Sequence, residues 1–129
     1  MSKEYIDFVN SVTSESSKKM LEMVHSFAVM EEQGAIPSRL LTTALGLNGE
    51  AAEFSELIKK CIFQGREYTD EVHAELKSEL SDIMWYIAQG CIALDTTIEE
   101  LMEINTSKLK ERYPDGFDKN KSNARYVNE

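Results

Sequence analysis

The sequence has few of the residues that cross-link or interrupt a chain. Its 129 residues include two cysteines, two prolines and six glycines. Two cysteines are too few for a disulfide framework or a cysteine-rich zinc site. Cys61 and Cys91 both fall in apolar helical patterns, so we interpret them as small core residues. Scarce proline and glycine leave long uninterrupted stretches, which favours helices over many short strands.

Positive charge is also scarce. The chain carries 14 Lys and Arg against 23 Asp and Glu, a formal net charge of -9. Binders of nucleic acid and of anionic membranes need a basic face, so the composition argues against both partners. No apolar run approaches the roughly 20 residues of a membrane span, and no secretory signal is recognisable. We therefore expect a cytoplasmic protein that uses its carboxylates to bind metal ions.

The length of the chain favours a single domain over 1–129. Hydrophobic residues make up 42% and charged residues 29%, the balance of a folded protein rather than a disordered one. The last residues, 118–129, are polar, and we expect them to form a flexible tail or to contact a partner.

Apolar residues at helical spacing predict an all-α fold, an antiparallel bundle of about four main helices. The predicted segments are a short turn at 5–9, then 16–32, 39–63, 70–94, and a fourth helix from about 97 to the residue before Pro114. Ser38 is the predicted N-cap of the second helix. Thr97 and Glu100 have the spacing of a capping box at the start of the fourth.

The second and third predicted helices each carry an apolar stripe that should form the core. These stripes are Leu40, Leu47, Ala51, Phe54, Ile58 and Cys61, and Val72, Leu76, Leu80, Ile83, Ile87, Cys91 and Leu94. Glu50 and Glu53, three residues apart, lie about 60° from each other along one edge of the first stripe. Glu79 and Asp82 occupy the corresponding edge of the second. If the stripes pack antiparallel, the four carboxylates converge at the rim of the bundle.

Four carboxylates at such short distances repel one another. A bound divalent cation would relieve this repulsion. Oxygen ligands with little His or Cys nearby predict a hard ion, Mg²⁺ or alternatively Mn²⁺. Such an ion keeps coordination positions for water and phosphate oxygens, so the site can clamp a polyphosphate and activate a water. Acidic pairs at this spacing are also common on solvated helix faces, and the spacing alone leaves that interpretation open.

Three segments, within about residues 20 to 118, resemble the MazG-like nucleoside triphosphate pyrophosphohydrolases. The run ALGLNGEAAEFSELIKK at 44–60 is similar to the first metal motif of that family, and ELSDIMWY at 79–86 to the second. The run NTSKLKERYPDGF at 105–117 resembles the closing segment of the family. This sequence departs from the first motif of the family at Gly49, where many members have Glu. Members of the dCTP-cleaving branch share the Gly, so it leaves open only the number of ions and the identity of the base.

The resemblance implies an all-α enzyme that uses Mg²⁺ to hydrolyse the α–β bond of a (d)NTP, releasing NMP and pyrophosphate. It also implies a homo-oligomer, a dimer or a tetramer, and a role in cleaning the nucleotide pool. Its metal ligands would be Glu50, Glu53, Glu79 and Asp82, and Glu50 or Glu53 would polarise the attacking water. Two alternatives stay open, a phosphoribosyl-ATP pyrophosphohydrolase and a non-catalytic helical interaction module.

Basic and amide side chains are the candidates for binding the substrate phosphates. Lys108 and Arg112, at i and i+4 of the fourth helix, are candidate phosphate ligands, or else paired surface cations. Lys59 and Lys60 end the second helix, where the helix dipole alone would also favour them. Asn105 can bind sugar or phosphate through its amide.

Two further candidates follow from the resemblance. Tyr86 corresponds to a position that packs on the sugar in related enzymes, or it is a tyrosine at the edge of the core. His25 precedes Glu50 by the offset at which some relatives place a base-contacting His, or it is simply an exposed histidine.

Overall fold

The computed structural model describes residues 2–119, which form helices joined by short connections, with no strand in that range. The helices are α1 (Lys3–Val12), α2 (Glu15–Lys18), α3 (Met20–Glu32), α4 (Pro37–Phe63), α5 (Asp70–Ala93) and α6 (Ile98–Arg112). The all-α prediction is confirmed. Most of the tail predicted at 118–129 lies outside the described residues. Between residues 2 and 119, no helix combines the length and the apolar character needed to cross a membrane.

Contacts divide the chain between Asp95 and Thr96 into two units. The first unit contains α1 to α5, and the second contains α6. Asp95 has a φ of 51°, in the left-handed region that non-glycine residues rarely adopt. Asp95 is the last residue of the first unit.

Two predicted helix boundaries are wrong. The segment predicted at 16–32 is broken at Lys19, whose backbone is extended. Ser38 does not cap α4, since the helix already begins at Pro37 and Ile36 is its N-cap. Proline fits this first position because it lacks an N–H that would otherwise stay unpaired there.

The starts of α5 and α6 are capped by threonine side chains. The Thr69 hydroxyl accepts a hydrogen bond from the Val72 N–H at the start of α5. The Thr97 hydroxyl accepts one from the Glu100 N–H, 3.1 Å away, at the start of α6. The Glu100 carboxylate accepts from the Thr96 hydroxyl, so this side chain also contributes to the cap.

Helices α4 and α5 pack against each other in antiparallel orientation. Near the start of α4, Arg39 donates a hydrogen bond to Gln89, close to the end of α5. Near the end of α4, Leu57 forms a buried cluster with Val72 and Leu76, from the beginning of α5. Because residue numbers rise along one helix while they fall along the other, positions between these ends also meet in pairs.

The buried core is small and is centred one residue away from the predicted stripe of α4, whose Phe54, Ile58 and Cys61 pack against it only partly buried. Leu57, which is outside that stripe, is buried, whereas Ala51 is exposed. The line of α4 that faces α5 passes through Glu53 and Leu57, and a step of one residue turns a helix by about 100°. On α5, Leu80 and Leu94 were also expected in the core, but about half of each side chain is exposed. The two predicted stripes are therefore only partly buried within residues 2–119.

The two cysteines follow the prediction to different degrees. Cys91 is buried, and Cys61 is half-buried against the cluster of Leu57, Val72 and Leu76. Both are free thiols.

Candidate metal centre

Three of the four predicted metal ligands meet between α4 and α5. Glu50, Glu53 and Glu79 each offer a carboxylate oxygen within 4.8 Å of the others. Glu50 and Glu53 share a helix face because they are three residues apart. The antiparallel packing then brings Glu79 opposite them. Glu50 and Glu79 are half-buried and Glu53 is exposed.

Asp82 lies one turn after Glu79 on α5 and is exposed. Its charge reaches Glu79, because it contributes to the raised pKa of that carboxyl. Its oxygens are not part of the cluster formed by Glu50, Glu53 and Glu79. The assignment of Asp82 as a metal ligand therefore stays a prediction.

The cluster concentrates negative charge in a partly desolvated place. The pKa of Glu79 is raised above its ordinary value of 4.5, first by burial and then by the charges of Glu53, Glu50 and Asp82. A hydrogen bond with Glu50 also favours the protonated form of Glu79. A cation among these groups would remove the repulsion and favour the charged form.

The geometry fits a small hard cation. Oxygens bound to one Mg²⁺ at about 2.1 Å lie no more than about 4.2 Å apart. The oxygens of Glu50, Glu53 and Glu79 lie within 4.8 Å of one another, so small side-chain rotations would bring them to that distance. Three carboxylates leave coordination positions for water and for phosphate oxygens.

Tyr86 packs directly on the backbone of α4, one turn before Glu50. A β-carbon at Gly46 would lie 2.0 Å from Cε1 of the Tyr86 ring, so only glycine leaves room for this contact. The Trp85 ring meets the Tyr86 ring edge-on, with centroids 4.8 Å apart and planes at 86°. Tyr86 is thereby fixed next to the carboxylates. Gly46 was not a sequence candidate, although a glycine inside a long helix is itself a signal of close approach.

A cavity of about 550 Å³ adjoins the carboxylates on the side towards the end of α4. Its lining includes Glu53, Glu56, Lys60, Arg66, Glu75 and Glu79. Lys60 is thus in the same cavity as two of the candidate metal ligands. Arg66 was not a sequence candidate, although its position directly after the glycine that ends α4 was a usable signal.

The neighbouring lysine, Lys59, faces elsewhere. It is exposed and lines an apolar depression with Phe54, Ile58 and Phe63. Lys59 forms an ion pair with Glu56, and Lys60 lies 3.6 Å from the same carboxylate. The hydrogen bond from Lys59 is the main cause that holds the pKa of Glu56 below its usual range.

The remaining substrate-binding candidates lie on other helices. His25 is exposed on α3. Asn105, Lys108 and Arg112 lie on α6, in the second unit, where Arg112 stands 5.2 Å from the centroid of the Tyr113 ring. The roles of these four residues stay predictions.

Comparisons with known proteins match the part of the chain that contains α4, α5 and α6. Residues 39–117 match the family model of the MazG nucleotide pyrophosphohydrolase domain, a stretch that contains nearly all of α4 and the whole of α5 and α6. The Gene 37 protein of Mycobacterium phage L5 is 37% identical over 70 residues, which cover 53% of this chain and 60% of that protein. The aligned stretch thus spans less than two thirds of that relative. No solved structure matches the chain.

Proposed function

The chain belongs to the MazG nucleotide pyrophosphohydrolase family, and on that basis we propose that it hydrolyses a (d)NTP to (d)NMP and pyrophosphate in a Mg²⁺-dependent reaction. The observation that carries this proposal is the approach of Glu50, Glu53 and Glu79 to within 4.8 Å. All three lie in the part of the chain that matches the family. Removal of aberrant or surplus nucleotides is the biological role that we propose for this chemistry.

Glu50, Glu53 and Glu79 would hold the ion, and Asp82 is the proposed fourth ligand. Mg²⁺, or Mn²⁺ in its place, supplies neutralisation of phosphate charge and a lower pKa of bound water. The donor set supports a hard cation because it consists of carboxylate oxygens alone.

Glu53 is the proposed base. It is exposed and lines the cavity, whereas Glu50 is half-buried and is not among the lining residues. The Glu53 carboxylate would accept the proton of a water that attacks the α-phosphorus. The bond between that phosphorus and the α–β bridging oxygen then breaks, and pyrophosphate leaves with the electron pair of the bond.

The other candidates are proposed to bind the nucleotide. Tyr86, fixed on Gly46 beside the carboxylates, would pack on the sugar, and Lys60 would contact phosphate. For His25 and Lys59 we keep a role in substrate binding as a proposal. The same applies to the α6 residues Asn105, Lys108 and Arg112.

We also propose that the protein is a homo-oligomer, a dimer or a tetramer. Large apolar side chains stay exposed on both central helices, among them Leu41 and Leu45 on α4 and Leu80, Met84 and Trp85 on α5. Contact with a second copy of the chain would remove these side chains from water, which supports the proposal. Sedimentation at micromolar concentration tests this proposal, and a 14.7 kDa monomer would contradict it.

The reaction is tested with a panel of standard and damaged (d)NTPs, with phosphoribosyl-ATP included, in the presence and absence of Mg²⁺. We expect Mg²⁺-dependent release of pyrophosphate together with NMP. Release of orthophosphate alone would contradict cleavage at the α–β bond. No turnover of any substrate, together with no saturable Mg²⁺ binding in calorimetry, would favour a non-catalytic interaction module.

A further inference from the structure

The turn that ends α4 brings together the backbones of two cationic residues, Lys60 and Arg66. Gly65 has a φ of +71°, the left-handed conformation that glycine adopts without strain. This turn lets the Arg66 N–H donate a hydrogen bond to the Lys60 carbonyl, at 3.1 Å. The Gln64 N–H donates to the same carbonyl, also at 3.1 Å. The backbone of Arg66 is therefore held against the last turn of the helix that carries Lys60.

Both cations share a cavity with the candidate metal ligands. Lys60 and Arg66 line the cavity of about 550 Å³ to which Glu53 and Glu79 also contribute. This volume is within the range of about 300–1,000 Å³ that small-molecule sites occupy. The cavity therefore contains carboxylates that can bind a cation and basic side chains that can bind an anion. This combination suits a ligand whose phosphates extend from a metal ion to the basic side chains.

The Arg66 guanidinium is held on one side and keeps donors on the other. Its Nη2 donates to both oxygens of Glu75, at 2.8 Å and 2.9 Å, and about a third of the side chain is exposed. Within residues 2–119, its Nε and Nη1 make no hydrogen bond. Glu75 therefore orients the guanidinium while these donors stay available, and a guanidinium matches the geometry of phosphate oxygens.

The positions of Gly46, Glu53 and Lys60 along α4 indicate the direction in which a bound nucleotide would extend. Tyr86 packs on Gly46, before the carboxylates, and Lys60 follows Glu53 by about 10 Å of helix rise. In the proposed reaction, the sugar and the diphosphate lie on opposite sides of the α-phosphorus. With the sugar at Tyr86, the diphosphate points towards Lys60 and Arg66.

We propose that Arg66, together with Lys60, binds the β- and γ-phosphates of the substrate and stabilises the departing pyrophosphate. Arg66 touches the leaving group, and Glu75 is a positioning residue that acts through Arg66. This inference rests on the proposed function, because it names the part of the same substrate that these cations bind.

The test is calorimetric titration of the full chain with pyrophosphate and, separately, with nucleoside monophosphate, both in the presence of Mg²⁺. Arg66→Ala should weaken pyrophosphate binding by at least about tenfold and leave monophosphate binding unchanged. Arg66→Lys should retain part of the affinity, because it keeps the charge and loses the forked donors. Lys77→Ala, which removes an exposed cation of α5 outside the cavity, is the matched control and should change neither affinity.

A structural role for the Arg66–Glu75 pair gives a different pattern. If the pair only stabilises the fold, Arg66→Ala and Glu75→Gln lower the melting temperature equally and leave pyrophosphate affinity unchanged. That result, in a wild-type protein that hydrolyses a (d)NTP, would overturn the inference and leave the proposed function intact. Equal losses of pyrophosphate and monophosphate affinity in Arg66→Ala would also overturn it. A wild-type protein that neither hydrolyses nucleotides nor binds pyrophosphate would instead remove the proposed function.

Discussion

The two halves of the α4–α5 contact share the same antiparallel packing, but one half is apolar and the other is acidic. At one end, Leu57, Val72 and Leu76 exclude water, and Val72 is only 2% exposed. In the adjoining half, Glu50, Glu53 and Glu79 bring negative charges together in a partly buried place. The apolar half contributes stability through burial, whereas the acidic half costs stability until a cation is bound. One antiparallel helix pair can thus stabilise the fold with one half and bring candidate metal ligands together with the other.

The largest effect is expected in the acidic half. Glu53→Gln keeps the shape of the side chain but removes a metal ligand and the proposed base. We expect kcat/KM to fall by about 10³-fold, which corresponds to about 4 kcal/mol. Steady-state measurement of pyrophosphate release checks this, with circular dichroism to verify that the helices persist. Glu67→Gln, an exposed glutamate outside the cluster, is the control, and a Glu53→Gln enzyme with most of its activity would contradict the proposed role.

The next effect is expected in the apolar half. Leu57→Ala leaves a cavity between α4 and α5, which should lower the free energy of unfolding by about 2–5 kcal/mol. Denaturant unfolding monitored by circular dichroism measures it. Lys77→Ala, on an exposed position of α5, should change the same quantity by less than about 0.5 kcal/mol. Equal effects of the two substitutions would remove the distinction between the core and the exposed surface.

Two glycines of α4 give a matched pair of smaller effects. A β-carbon at Gly46 would overlap the Tyr86 ring, while one at Gly49 would meet nothing within 4 Å. Gly46→Ala should therefore destabilise by about 1–3 kcal/mol, and Gly49→Ala should stabilise by about 0.5–1 kcal/mol. Thermal and denaturant unfolding compare the two.

A second substitution separates the Tyr86 contact from other causes. In a Tyr86→Ala background the ring is absent, so Gly46→Ala should no longer destabilise. If the penalty persists in that background, the contact with the ring is not its origin.

The smallest effect is a pH dependence of the acidic half. Because the pKa of Glu79 in the folded protein lies above its ordinary value of 4.5, the folded state binds this proton more tightly than the unfolded state does. Stability from this group is therefore present at low pH and is lost as pH rises through the raised pKa. Glu15 and Glu56 have lowered pKa values, caused chiefly by hydrogen bonds from lysines, and contribute with the opposite sign.

The contribution of Glu79 is isolated by comparison with Glu79→Gln in a metal chelator. The wild type should lose melting temperature relative to the variant as pH rises above 4.5. Added Mg²⁺ should reverse this loss in the wild type, because the ion binds the charged carboxylates. Parallel pH profiles of the two proteins would contradict the prediction.

Local signals in the sequence were sufficient for the existence of the long helices α4, α5 and α6 and for part of the site. The i, i+3 spacing of Glu50 and Glu53 fixes their shared face, and apolar periodicity predicts the antiparallel partner that brings Glu79. Thr97 caps α6 as predicted. These features depend on positions within one turn or on one repeated pattern, which is why a single sequence contains them.

Features that depend on the contact between helices could not be derived in the same way. The full burial of Leu57, with Phe54, Ile58 and Cys61 only partly buried beside it, depends on the rotation of α4 about its axis, which periodicity does not resolve. The Gly46–Tyr86 contact and the place of Arg66 beside Glu75 require the register of the two helices. The distance of Asp82 from Glu50 and Glu53 could not be predicted either, because it depends on that register.

The open space beside Gly49 has an evolutionary consequence. In this fold a β-carbon at position 49 would meet no neighbour within 4 Å. A side chain can therefore be added here without displacing a neighbour of its β-carbon. The charge of α4 next to Glu50 can thus change by one mutation while the packing of the helix is retained.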